Sequence, residues 1–574
     1  METVNITIDG SLFEVPKNFT VLEAAQTAGI KVPTLCNHPE LRPEGNCRVC
    51  VVEVKGARSL VASCVYPVSD GMVINTNTPA VRDARKMVVE LLLANHPQDC
   101  LSCQRNLNCE LQTIAADLGI RQVRFDGEKK SHQIDNSNPS LVRDQNKCIL
   151  CGRCIRACSE RQGVHVYSYA NRGFNTTVVP AFNQTLDKVA CTYCGQCASV
   201  CPTGAIVIKD DTARVWQELA NPAKHVVVQT APAVRVALGE ALGLPPGAVV
   251  TGKMVAALKR LGFDKVFDTN FSADLTIMEE GAEFLHRLKN GGKLPMITSC
   301  SPGWVNFAEL FYPDLLEHLS SAKSPQQMFG ALVKTYYAEQ ANLDPANIVS
   351  VSIMPCTAKK AEAARDEMTA SGYRDVDYVI TTSELAAMIK EAGIDFGSLA
   401  EGNYDDPMGI ATGAGVIFGA TGGVMEAALR TVSELVTGKE LECIDFHNVR
   451  GLQGVKEASL NIGGIEVKIA VAHTLLNART LMDKIRDGEA DYHFIEIMAC
   501  PGGCIGGGGQ PISAVTDFRQ KRIDGLYDCD TKAILRKSHS NPAIKELYAT
   551  WLGQPLGEKA HKLLHTHYHK QSRG

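Results

Sequence analysis

Cysteine spacing constrains this chain more than any other feature. Fifteen of its twenty-one cysteines precede residue 202 and fall into four tight groups. The first is Cys36, Cys47, Cys50 and Cys64, and the second is His96-x3-Cys100-x2-Cys103-x5-Cys109. The third and fourth repeat one another: Cys148-x2-Cys151-x2-Cys154-x3-Cys158 and Cys191-x2-Cys194-x2-Cys197-x3-Cys201-Pro202. Thiolate sulfur is the ligand that iron–sulfur clusters require, and a C-x2-C turn lets neighbouring sulfurs reach one small metal core. Structural zinc prefers two C-x2-C pairs per ion, whereas runs of three with a distant fourth recur here. A disulfide framework belongs to secreted chains.

The sequence starts Met1-Glu2-Thr3, without the basic, apolar and small-residue pattern of an export signal, and contains no run of eighteen apolar residues. A cytoplasmic, reducing location is expected, with no membrane span. A length of 574 residues predicts several domains. Apolar content of 45% and charged content of 21% are ordinary for globular protein, and a net charge of −5 argues against nucleic acid as a partner. His561, His565, His567 and His569 crowd the C-terminus and read as a solvated tail.

The doubled run resembles the bacterial two-cluster ferredoxins, in which the fourth cysteine of each set crosses to the other cluster. That resemblance implies one [4Fe–4S] cluster on Cys148, Cys151, Cys154 and Cys201, and another on Cys191, Cys194, Cys197 and Cys158. Near the N-terminus, residues 2–8 alternate as a strand, a helix is expected at 20–29 after Asn18 and Thr20, and Val51 to Val54 form a second strand. With the C-x10-C-x2-C-x13-C spacing, this resembles a plant-type [2Fe–2S] β-grasp module, with the longer first loop of the ferredoxin-like N-termini of respiratory complex I and hydrogenase subunits. A helix at 79–95 leads into His96. The motif of one histidine and three cysteines resembles the [4Fe–4S] site of the same families, which implies that His96 is a ligand. One [2Fe–2S] and three [4Fe–4S] accessory clusters in series make an electron wire.

From about residue 224, apolar runs alternate with amphipathic helices, which predicts parallel α/β sheets with ligands at the carboxyl ends of the strands. The runs are 225–230, 265–269, 295–298, 348–354, 467–473 and 493–498, with helices at 254–261, 276–288 and 383–392. Three cysteine motifs fall at such ends: Thr298-Ser299-Cys300-Ser301-Pro302-Gly303-Trp304, Met354-Pro355-Cys356-Thr357-Ala358-Lys359, and Met498-Ala499-Cys500-Pro501-Gly502-Gly503-Cys504, the last followed by a glycine run to Gly509. Together they resemble the three signatures of the [FeFe]-hydrogenase catalytic domain. The accessory motifs match the clostridial monomeric form of that family over nearly the full chain.

The resemblance implies an H-cluster, a [4Fe–4S] cubane joined through a cysteine sulfur to a diiron unit carrying carbon monoxide, cyanide and a bridging dithiolate. It places the cubane on Cys356 and Cys500, the bridge on Cys504, a cyanide hydrogen bond on Lys359, and apolar walls on Met354 and Met498. It implies a proton relay through Glu280, Glu283, Arg287 and Ser320. The spacing i, i+3, i+7 puts Glu280, Glu283 and Arg287 on one helix face, which by pattern alone reads as a solvated stripe. The glycine run reads as a place of close backbone approach to the cofactor. The expected architecture is multidomain, α+β then α/β: a β-grasp ferredoxin at 1–80, a one-histidine, three-cysteine cluster domain at 81–125, a two-cluster ferredoxin at 138–210 and a two-lobed parallel-sheet catalytic domain at 211–574.

One position departs from the family. Its first signature carries two adjacent cysteines, the first relaying protons and the second ligating the cubane; here the second is Ser301. The expectation is a modest loop shift that lets Cys300 ligate the cubane; the alternative keeps Cys300 as the relay while Ser301 or another ligand completes the cluster. The implied reaction is reversible reduction of protons to H2 with electrons from ferredoxin or a similar carrier, after maturation proteins supply the diiron unit. The alternatives are the hydrogen-activating subunit of an NAD(P)-linked, electron-bifurcating assembly, and a sensory or cluster-assembly relative. No Gly-x-Gly-x-x-Gly element precedes a helix, so a nicotinamide site would lie on a partner.

Overall fold

The computed structural model describes residues 2–513 and 515–572, and the chain divides into two compact units. The first comprises residues 1–160, 165–189 and 200–207, and the second 161–164, 190–199 and 208–574. Among the described residues, no helix is long and apolar enough to cross a membrane.

In the first unit the N-terminal alternation does what period-two patterning dictates. Val4, Ile6 and Ile8 of the strand Thr3–Ile8 point into the core while their neighbours face outward. That strand pairs antiparallel with Ser11–Pro16 and parallel with Val73–Asn75. Val51–Val54 and Val61–Ala62 complete a five-stranded sheet. The helix Val21–Thr27 packs on the same core, its start fixed by a capping box in which Thr20 and Glu23 satisfy each other's main-chain N–H groups. The helix Pro79–Ala94 opens with Thr78 as N-cap and Pro79 in its first turn, and it ends at Asn95, directly before His96.

The second unit holds two four-stranded sheets. Lys265–Asp268, His225–Thr230, Ile348–Met354 and Tyr378–Thr381 lie side by side, all parallel. Ile348–Met354 is buried at every residue, as a strand covered on both faces must be. The other sheet runs Met296–Ile297, Phe494–Met498, Ile465–His473, Val455–Ile462. Its first three strands are parallel, but Val455–Ile462 folds back antiparallel on Ile465–His473, an edge hairpin absent from the all-parallel expectation. The turn Gly463-Gly464, both residues at positive φ, permits it.

The helix Thr269–Asn290 is apolar on two sides. Phe271 and Leu275 enter one core, while Ala273, Ile277 and Phe284 enter another. Asp268 caps its start, accepting from the Asn270 N–H at 3.0 Å, and Gly291 at φ 78° ends it. Being covered on both faces, it buries Glu279, Glu280 and Glu283.

Candidate active site

The three motif loops leave the carboxyl ends of Met296–Ile297, Ile348–Met354 and Phe494–Met498 and meet around one cavity. Cys300, Ser301, Cys356, Cys500 and Cys504 line it, together with Met354, Met498 and Lys359. Burial pushes the Cys356 thiol up to about 11 and Cys504 up to about 12, and raises Cys500 as well. Three thiols massed in an apolar cavity fit a metal cluster, which would bind them as thiolates.

The glycines after Cys504 also serve main-chain packing, while Gly507 lines the cavity itself. A β-carbon at Gly507 would lie 2.1 Å from the Pro355 carbonyl oxygen, and one at Gly508 would lie 2.6 Å from that of Cys194. The run lets three main chains pack against one another behind the cavity. Hydrogen bonds tie the same loops to residues 190–199 and to Gln162. Thr357 Oγ1 donates to the Tyr193 carbonyl at 2.7 Å, Gln196 Nε2 to Gly506 O at 3.0 Å, and Gln162 Nε2 to Ala499 O at 3.0 Å. The Cys194 thiol is close enough to Cys500 to raise it electrostatically.

Cys300 and Ser301 point to different neighbours. The buried Cys300 thiol is raised by burial and then by Glu280, with Cys504 and Lys359 also acting on it. Ser301, the N-cap of the helix Pro302–Phe311, turns its hydroxyl to the Ala499 N–H at 3.2 Å, one residue before Cys500. Lys359 Nζ donates to Glu362 at 2.9 Å and to the Cys300 carbonyl at 3.2 Å, so it bridges the first and second motif loops.

The acids are buried, and the solvated-stripe reading fails. Glu280 has 0% exposure, and neither of its oxygens has a hydrogen-bond partner of normal geometry, although Ser320 and Ser299 are neighbours. Burial, and then the nearby Glu283 carboxylate, push Glu280 up to about 8. Glu283 accepts from Ser320 Oγ at 3.0 Å, from the Ser321 N–H at 3.0 Å and from Arg287 at 2.6 Å. Arg287 also donates to the Leu319 and Glu317 carbonyls, which pins it near the surface end of the row.

In the first unit, Cys36, Cys47, Cys50 and Cys64 lie close together: the Cys36 N–H donates to Cys47 Sγ at 3.4 Å, Cys47 and Cys64 lower the Cys36 thiol, and Cys64 lowers that of Cys50. His96 is buried, with Nδ1 2.6 Å from the Pro97 carbonyl and Nε2 unpartnered. That bond fixes the proton on Nδ1 and leaves Nε2 a free ligand atom. Cys109 and Cys103 lie beside Pro202 and Gly204 respectively. A separate cavity is lined by Cys148, Cys151, Cys154 and Cys201, the set expected for one crossed cluster. Among the described residues, none of the twenty-one cysteines is joined in a disulfide.

Sequence reasoning missed Glu279, Ser321 and His565. The tail read as solvated in fact buries His565, which hydrogen-bonds Ser321 and Glu279. Nothing in local spacing announces contacts between residues more than 240 positions apart.

Comparison with known proteins agrees with this geometry. Residues 224–508 match the family described as iron only hydrogenase large subunit, C-terminal domain, and 516–571 match the iron hydrogenase small subunit. The NADP-reducing hydrogenase subunit HndD of Solidesulfovibrio fructosivorans is 53% identical over 100% of both chains. The chain belongs to the iron-only hydrogenase family. It is therefore of a class of oxidoreductases acting on hydrogen. Iron hydrogenase 1 of Clostridium pasteurianum is 43% identical, covering 98% of this chain and 100% of that one. A solved structure of apo [FeFe]-hydrogenase HydA1 from Chlamydomonas reinhardtii is 49% identical over 63% of this chain and 99% of its own, with a TM-score of 0.58. Residues 1–79 match a 2Fe-2S cluster binding domain, 85–124 the NADH-ubiquinone oxidoreductase-G iron–sulfur binding region and 147–205 a 4Fe-4S dicluster domain.

Proposed function

We propose that this iron-only hydrogenase interconverts protons and electrons with H2 at the cavity between the three motif loops, fed by one [2Fe–2S] and three [4Fe–4S] clusters. The observation that carries the reading is the row of side chains from Cys300 past the buried Glu280 to the buried Ser320 and Glu283, ending at the half-buried Arg287, beside a cavity lined by three further cysteines. A bound H-cluster would supply the two-electron redox chemistry of hydrogen. Cys356 and Cys500 would hold its cubane and Cys504 would bridge to the diiron unit. Met354 and Met498 would exclude water from the cavity. Lys359 would present its ammonium to the cluster while Glu362 and the Cys300 carbonyl hold it in place.

Cys300 is assigned the relay position and Ser301 the place of the missing cubane ligand. The support is direction: the Cys300 thiol shares its surroundings with Glu280, whereas the Ser301 hydroxyl lies against the Cys500 loop. The chain's work is then proton movement. The Cys300 thiol exchanges a proton with Glu280, which at about 8 is poised for acid–base transfer near neutrality. Glu280 exchanges with Glu283 through the Ser320 hydroxyl, and Arg287 orients Glu283.

The accessory ligand sets are those of the motifs. Cys158 would complete the cluster on Cys191, Cys194 and Cys197, and Cys201 the one on Cys148, Cys151 and Cys154. The electron partner is a ferredoxin or a carrier of that class. The similarity to HndD over the full chain favours a second reading, in which this chain is the hydrogen-activating subunit of an NADP-linked assembly. The two readings separate by assay: on the first, the purified chain alone exchanges electrons with ferredoxin at full rate; on the second, it does so only after the partner subunits that carry the NADP site are added, since the chain itself has no dinucleotide fingerprint. Infrared spectroscopy of the matured protein tests the core proposal. Carbonyl and cyanide stretches support it, and their absence after maturation, in protein with full cluster iron, refutes it.

A further inference from the structure

Where the C-terminal tail meets the helix Thr269–Asn290 lies a buried ionisable pair that the relay above does not use. Glu279 has 0% exposure and accepts from Tyr548 Oη, from the Leu556 N–H at 2.9 Å and from His565 Nε2 at 3.0 Å. The His565 side chain is 1% exposed. Its other nitrogen, Nδ1, lies 2.9 Å from Ser321 Oγ, and the same hydroxyl lies 3.1 Å from Glu283 Oε2. An unbroken hydrogen-bonded path therefore runs Glu283, Ser321, His565, Glu279, and it leaves Glu283 from Oε2, the oxygen that also accepts from Ser320, while Arg287 holds Oε1.

A structural role alone accounts poorly for the pair. The tail is already fastened beside Ser321 by main-chain bonds from Lys323 N to Leu564 O at 2.7 Å and from Thr566 N to Ser321 O at 2.8 Å. Burying a carboxylate and an imidazole adds a desolvation cost that well-packed apolar residues would avoid.

We propose that Ser321 and the His565–Glu279 pair form a proton-storing side branch of the relay, joined to it at Glu283. Ser321 has one hydroxyl hydrogen, so its direction reports the charge on His565. When the imidazole is cationic, Nδ1–H donates to Ser321 Oγ and the serine donates to Glu283. A transfer toward Glu283 moves the serine proton to the carboxylate as the Nδ1 proton moves to the serine. One proton passes, no electron moves, and His565 is left neutral with Nε2–H on Glu279. The reverse sequence stores a proton released during hydrogen oxidation. The other titratable groups facing the pair are Tyr548 and the exposed ring of His561, with His567 beyond it at 6.5 Å from His561. His561 stacks on His565 at 5.1 Å with planes 5° apart.

The inference rests on Glu283 being part of the hydrogenase relay. It is tested in the matured holoenzyme with Ser321→Ala and His565→Gln, singly and together. Each single variant should lower turnover about tenfold, below the ~10²–10⁴ of a main-line acid–base group. Each should raise the solvent isotope effect, and the double variant should be no worse than the lower single, since both cut one path. Independently of turnover, infrared difference spectra on reduction, with isotope-labelled histidine, should show an imidazole protonation band in the wild type. That band should be lost in both variants while the carbonyl and cyanide stretches persist. If both variants keep wild-type turnover and isotope effect, or if the histidine band survives in His565→Gln, the branch is refuted. A lowered thermal midpoint with unchanged band and isotope effect also refutes it, because that result makes His565 a tail fastener. Failure of the underlying reading looks different: Glu283→Gln itself would turn over normally.

Discussion

Thr357 Oγ1 donates a 2.7 Å hydrogen bond to the main-chain carbonyl of Tyr193, joining the loop that carries Cys356 to the segment that carries Cys191, Cys194 and Cys197. Thr357→Val keeps the shape and removes the donor, leaving a buried carbonyl short of one partner at a cost of about 1–3 kcal/mol. Electron delivery from the accessory clusters should slow, while H2 evolution with a small artificial donor is spared. Equal loss with both donors would show that the bond only holds the fold.

Glu283 collects Ser320, Ser321 and Arg287 around one carboxylate. Glu283→Gln preserves size but cannot titrate, so turnover should fall ~10²–10⁴-fold with the infrared bands of the H-cluster intact. Near-native turnover would remove Glu283 from the relay.

Glu280 is held at about 8 by burial and by Glu283. An unfolded glutamate titrates at about 4.3, so between the two values the folded chain binds the extra proton and stability falls as pH rises. Glu280→Gln has no proton to lose. Its thermal midpoint should gain on the wild type from about pH 5 to about pH 8, the window set by those two values, even as proton transfer stops. A midpoint difference that does not vary with pH over this window would contradict the raised value.

Cys300 and Ser301 separate by substitution. Cys300→Ala should keep the cubane and stop proton transfer, and Ser301→Cys should raise cluster occupancy, because thiolate is the better iron ligand. Loss of the cubane in Cys300→Ala, with Ser301→Ala mild, would make Cys300 the ligand instead.

His96 presents an unpartnered Nε2 because Pro97 holds Nδ1. His96→Ala should alter one [4Fe–4S] signal in electron paramagnetic resonance and weaken electron exchange with ferredoxin, while H2 evolution with small donors continues. Unchanged cluster signals would exclude His96 as a ligand.

Local order was legible because it is written at short range. The capping box at Thr20, the alternation of Val4, Ile6 and Ile8, and the unbroken apolar run 348–354 each declare their element within a few residues. The cysteine groups declare their chemistry in the same way, since cluster ligands must come from tight turns. The strand Val455–Ile462 was missed because it is exposed or half-buried at most of its residues and lacks the unbroken apolar run by which the parallel strands were found.

The acids show where sequence stops. The spacing of Glu280, Glu283 and Arg287 is that of any exposed helix stripe, and the pattern carries no record of the second core that covers it. The same blindness hid His565, which lies 244 residues beyond the serine it meets. By itself the sequence determined the elements, the cluster motifs and the departure at Ser301, all properties of neighbours along the chain. The tertiary structure alone decided which carboxylates lose their water, which hydroxyl bridges to which ring, and that Cys300 and Ser301 face different partners, because desolvation and hydrogen bonding depend on groups brought together from distant parts of the chain.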